Sequence, residues 1–116
     1  GTFAGQVHAP SSGDFYKGQD AYKNGDYATA ISEFKSLARQ EGKYRAQFYL
    51  GWMYREGEGV LQDYVYAHMW FNIAASSGHK NASKTRDIVA ERMTPSQLEK
   101  AQDLARECVA KNYKGC

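Results

Sequence analysis

Few side chains in this sequence could do chemistry, and they are scattered. The histidines, His8, His68 and His79, show no H-x-x-x-H spacing, and no Cys, Asp or His stands four positions from His68 to share a metal ion. His68 falls on an apolar helix stripe, where a core histidine bonded to a neighbour is expected rather than a ligand or a base. Glu56 and Glu58 flank Gly57, so a carboxylate pair is conceivable, but charged residues around a glycine are the composition of a solvated loop. No G-x-S-x-G elbow occurs, and Gly57 and Gly59 are not followed by the Lys-Ser/Thr of a phosphate loop. Ser32, Ser36 and Ser83 lie on polar helix faces. Asn81-Ala82-Ser83 has the form of a glycosylation acceptor, but inside a predicted helix. Cys108 and Cys116 are not in the C-x-x-C spacing of redox sites. The reading therefore assigns no catalytic residue, no metal and no cofactor.

What must be positioned, then, is a surface. The chain has 116 residues, enough for one domain with a small core. Hydrophobic residues make up 42%, within the globular range. Only two prolines occur, and helix formers dominate. Fifteen basic residues are dispersed among thirteen acidic ones, and the net charge of +2 argues against nucleic acid or an anionic membrane as partner. No apolar run is long enough to span a membrane. The chain begins at Gly1 and not at Met, so a removed signal peptide is expected.

Residues 1–13 lack periodicity and read as a flexible lead-in; 14–116 read as one helical domain. Tyr27, Ala30, Ile31, Phe34, Leu37 and Ala38 share one helix face, with Asp26 as N-cap. A shift of 37 repeats the pattern as Asp63, Tyr64, Ala67, His68, Phe71, Ala74 and Ala75, with His68 in the place of Ile31. The preceding helices match as well: Phe15-Tyr16-x-Gly18 echoes Phe48-Tyr49-x-Gly51, and Tyr22 echoes Tyr54. Gly57 and Gly59 are expected to let the chain leave a helix through conformations that a side chain penalises. Gly51, inside a helix, implies a tight helix–helix approach. A third pair runs as a weaker helix over Lys80 to Met93, then a capping box at Thr94-Pro95-Ser96-Gln97 and an apolar stripe through Leu98, Ala101, Leu104, Ala105, Cys108 and Val109.

The run Ala46, Leu50, Gly51, Met53, Tyr54, Gly57, Gly59, Val60, Gln62, Asp63, Tyr64, Ala67, Trp70, Ala74, Ala75 and Gly78 resembles the Sel-1-like repeat, a relative of the tetratricopeptide repeat. Phe15 to Gly42 resembles a shorter opening repeat, and Lys80 to Val109 a closing helical hairpin. The resemblance implies an all-α fold: a right-handed α/α solenoid of about three antiparallel helix pairs, the last acting as a cap. It also implies protein–protein contact, commonly in bacterial periplasmic or secreted settings. The spacing of Cys108 and Cys116 is similar to that of a cysteine-rich branch of the family, which implies a disulfide; free thiols are the alternative. An unbroken helix would hold these residues about 12 Å apart, too far to bridge. A bridge therefore requires the helix to end near Asn112.

In such solenoids the first helices of successive pairs line the concave side. Arg45, Phe48, Trp52 and Arg55 align on one helix face away from the Ala46, Leu50, Met53 and Tyr54 stripe. Aromatic residues flanked by arginines have the composition of a contact hot spot. Packing inside the stack is the alternative, favoured for Phe48. The equivalents taken in the first pair are Tyr16, Asp20 and Lys23, and in the third Lys84, Ile88 and Glu91. The expected function is a non-enzymatic module, monomeric, that binds another protein or an extended peptide as adaptor, inhibitor or immunity-type protein. The alternatives are a periplasmic receptor for a small ligand or cell-wall fragment, and a structural segment of a larger assembly.

Overall fold

A computed structural model describes residues 13–116. Six helices follow one another, with no strand among the described residues: α1 (Phe15–Lys23), α2 (Tyr27–Ala38), α3 (Tyr44–Glu56), α4 (Tyr64–Ser76), α5 (Ala82–Ala90) and α6 (Pro95–Ala110). Consecutive helices from α1 to α5 pack on one another, and α6 returns onto α4. The result is an α/α solenoid of helix pairs. Of the expected lead-in, residues 1–12, including His8, lie outside the described residues. Gly13 lies against α2, and the Asp14 backbone N–H donates to the Glu33 carboxylate at 2.8 Å.

The helix ends form where the sequence puts caps. The carboxylates of Asp26 and Asp63 accept from the backbone N–H groups of Thr29 and Tyr66, satisfying donors that a helix start leaves open. Thr94 and Gln97 exchange both bonds of a capping box, with Pro95 in the first helical position. Gly57 ends α3 with φ 72° and Gly59 follows at φ 76°, backbone that a Cβ would strain. The helix expected over Lys80 to Met93 is shorter. Asn81 makes no capping bond with its side chain, and Glu91, Arg92 and Met93 donate to carbonyls only three residues back, which tightens the chain out of the α-helix.

Within each of the first two pairs, the same contact sets the spacing. A Cβ on Gly51 would stand 2.7–3.1 Å from the Phe71 ring, and one on Gly18 would stand 2.9 Å from the Phe34 ring. These phenylalanines are 37 residues apart and fully buried. Three connected clusters form the core. Phe34 and Met53 centre one between α1, α2 and α3; Phe71 and Val89 centre one between α4 and α5. Trp70, Met69, Leu50 and Cys108 hold the third, where α6 meets α4.

The chain reverses after α6 as a bridge requires. Asn112 and Tyr113 take left-handed backbone, φ 55° and 65°. The Tyr113 N–H donates to the Cys108 carbonyl at 2.7 Å, and its ring enters the Trp70 cluster. Cys108 and Cys116 are thereby joined, with Cα atoms 5.8 Å apart. A closed loop of this length stabilises a fold by about 2–3 kcal/mol through the unfolded chain. Cys116→Ser is expected to cost about that much in urea unfolding under oxidising conditions, with no effect of reductant on the variant. Equal stability of the two proteins would show that the reversal holds without the bridge.

Candidate functional site

α1 and α3 turn one side away from the core, and between them runs an open trough of about 350 Å³ lined by Tyr22, Phe48, Tyr49 and Trp52. Each ring is fixed from behind. Tyr49 stacks on Phe34, centroids 4.6 Å apart, and its hydroxyl oxygen accepts from the Gln19 amide at 3.1 Å. Tyr22 meets Tyr49 edge to face at 5.6 Å and donates its hydroxyl proton to Glu58 at 2.8 Å. Burial pushes the Tyr22 hydroxyl well above the usual tyrosine range; the Glu58 bond and charge add to this, while a hydrogen bond with Trp52 opposes it. Phe48 lies between the His79 ring, stacked at 4.1 Å, and Phe71 at 5.2 Å. Trp52 packs on the Phe71 cluster with its inner side, and the Arg55 guanidinium lies 4.9 Å from its ring centroid. Arg55 is in turn held by Glu56 at 2.7 Å.

The sequence-predicted residues divide into those that meet here and those that do not. Phe48 and Trp52 line the trough, and Arg55 covers Trp52. Phe48 is half-buried against its neighbours in the Phe71 cluster. Arg45 reaches across to α1 and lies 4.4 Å from the Phe15 ring centroid. Tyr16, 66% exposed, and the exposed Asp20 and Lys23 are not among the lining residues; Tyr22 stands there from α1 instead. Lys84, Ile88 and Glu91 are exposed at α5 and its end. Tyr22 and Tyr49 were missed as lining residues. The signal was present: the Phe15/Phe48 and Gly18/Gly51 register places Gln19 opposite Trp52 and Tyr22 opposite Arg55.

The other candidate residues are engaged by neighbours, several of them behind the rings of the trough. Among the described residues no group of His, Cys, Asp and Glu could hold a metal ion. The Glu58 carboxylate of the conceivable Glu56/Glu58 pair is engaged by Tyr22 and that of Glu56 by Arg55. His79 accepts from the Asn81 N–H, and burial lowers its pKa.

The fold and the exposed aromatic side of its first helices define a helical-repeat protein. Residues 45–79 match the family model of the Sel1 repeat. That segment is similar to the Sel1 repeat, and such repeats generally mediate protein–protein contact. No curated protein matches the sequence. No helix of the described residues is long and apolar enough to cross a membrane.

His68 is 2% exposed, and its Nδ1 has no partner among the described residues. The expected bond from a neighbour is thus missing at that nitrogen. Burial, reinforced by the Arg86 charge and only partly offset by Asp87, lowers its pKa from 6.5 to about 4. The unfolded chain therefore binds more protons than the folded one between pH 4 and 6.5, so stability falls as pH drops through that window. The loss is about 2–3 kcal/mol from this side chain. His68→Ile, which installs the residue found at the matching place in the first repeat, is expected to remove that part of the acid slope in pH-dependent unfolding. An unchanged slope would mean that other groups carry it.

Proposed function

We propose that the protein is a non-enzymatic binding module that holds another polypeptide along the exposed side of α1, α3 and α5. It acts as an adaptor or as an inhibitor or immunity-type protein. Trp52 and Arg55 form the centre, with Phe48, Tyr22 and Tyr49 as the floor. On this reading the partner also meets Arg45, Tyr16, Asp20 and Lys23, and Lys84, Ile88 and Glu91 of the third pair.

The observation that carries this reading is the contrast between the two tryptophans. Trp70 is sealed in the core, whereas Trp52 gives only its inner side to packing and opens onto the trough. A partly buried tryptophan beside arginine, in a concavity, is the usual make-up of residues that dominate binding energy. The rings are already fixed, so little conformational freedom is lost when a partner docks. The Cys108–Cys116 pair supports work in an oxidising compartment, the periplasm or the cell exterior. A monomer is sufficient for this use.

Trp52 also contributes to the core, so its removal needs a control matched for stability. In affinity capture from an envelope fraction, a partner held by the wild type and by Leu104→Ala, which loosens the distant α6 packing, is expected to be lost from Trp52→Ala/Arg55→Ala. Retention by the double variant would contradict the reading.

A further inference from the structure

We propose that the trough between α1 and α3 takes a proline-rich stretch of the partner in polyproline II conformation. This rests on the reading of that face as a partner-binding surface, and names the chemistry of what binds.

The first argument is a count of donors and acceptors. The lining is made of ring side chains, Tyr22, Phe48, Tyr49 and Trp52. The Tyr22 proton is committed to Glu58. The Tyr49 oxygen accepts from Gln19, which leaves the Tyr49 proton to be donated outward. The trough thus offers ring faces and a hydroxyl donor. An ordinary extended peptide would press backbone N–H groups onto these rings, and each one left unpaired forfeits the hydrogen bond it makes in water. Proline has no N–H to leave unpaired, and its carbonyl can accept from Tyr49. Its ring packs on aromatic faces, and the polyproline II helix is extended and formed before binding.

The second argument is charge. Beside these rings Arg55 is paired with Glu56 and the Glu58 carboxylate takes the Tyr22 proton, so neither an acidic nor a basic segment meets an unengaged charge there. A cation among the rings would meet the Arg55 guanidinium, which already lies over Trp52 and is held there by Glu56. A neutral segment rich in proline meets neither obstacle.

Two experiments with the whole chain test this. In the first, a fluorescently tagged peptide of about ten prolines is titrated into the protein, beside a Gly/Ser peptide of equal length. The proline peptide is expected to bind and the Gly/Ser peptide not. Tyr49→Phe keeps the stack on Phe34 but removes the donor, and is expected to weaken binding about three- to tenfold. Failure of the proline peptide to bind, or binding by both Tyr49→Phe and Trp52→Phe as tight as the wild type's, overturns the proposal. In the second, random displayed peptides are selected on the wild type and counter-selected on Trp52→Phe. Enrichment of proline-rich sequences supports the proposal. Enrichment of sequences without proline overturns it while leaving this face a peptide-binding surface. No selection of any Trp52-dependent peptide overturns both readings.

Discussion

A glycine beneath a phenylalanine ring is the constraint on which the rest of the structure depends. Helices usually pack with axes 8–10 Å apart, the distance depending on the side chains at the crossing. Gly18 and Gly51 present no side chain there, and the rings of Phe34 and Phe71 fill the space. Each glycine lowers intrinsic helix stability by about 1 kcal/mol relative to alanine, a cost offset by a buried aromatic ring. The consequence reaches the surface. With the inner side of α3 close against α4, Phe48 and Trp52 rest their inner edges on the Phe71 cluster and leave their outer faces over the trough. The third pair has no such glycine. Where α6 meets α4, Cys108 is buried beside Trp70, and its link to Cys116 fastens the end of the chain.

Much of this was legible in the residues. Capping positions, the glycine interruption after α3 and the pairing of helices follow from side chains whose local chemistry is strong, such as Asp63, Thr94 and Gly57. The tight approach at Gly51 could be inferred because an interior helical glycine needs a compensating reason. Less legible was the side of α1 that faces α3. Successive residues on a helix are 100° apart, so a slip of one position turns a side away. Tyr16, Asp20 and Lys23 stand one position on from Phe15, Gln19 and Tyr22, the residues that match Phe48, Trp52 and Arg55 in the Gly18/Gly51 register, and of these Tyr22 lines the trough. Tyr22 reads as a core residue by type. It is half-buried, with its hydroxyl bonded to Glu58, from a loop whose path no periodicity fixes. His68 illustrates the opposite limit: its place on the buried stripe was plain, but its unpartnered nitrogen depends on what α5 brings near it.

The trough is rigid for reasons that lie behind it. Gln19, Glu58, His79 and Arg55 each hold one of its rings, and they come from three different segments of the chain. Binding surfaces assembled in this way gain affinity by avoiding the ordering of side chains rather than by adding area. The same arrangement links stability to recognition, because any change that lets α3 drift from α4 also moves Phe48 and Trp52.

The most direct measurement is a double-mutant cycle on Gly51 and Phe71. Gly51→Ala alone, Phe71→Leu alone and the pair together are unfolded in urea. The account predicts that the added methyl destabilises by about 1–3 kcal/mol beneath the intact ring and much less once leucine replaces it. The coupling is then about 1 kcal/mol or more. Additive effects, or a Gly51→Ala protein more stable than the wild type, would contradict the claim that the ring and the bare backbone set the approach of α3 to α4.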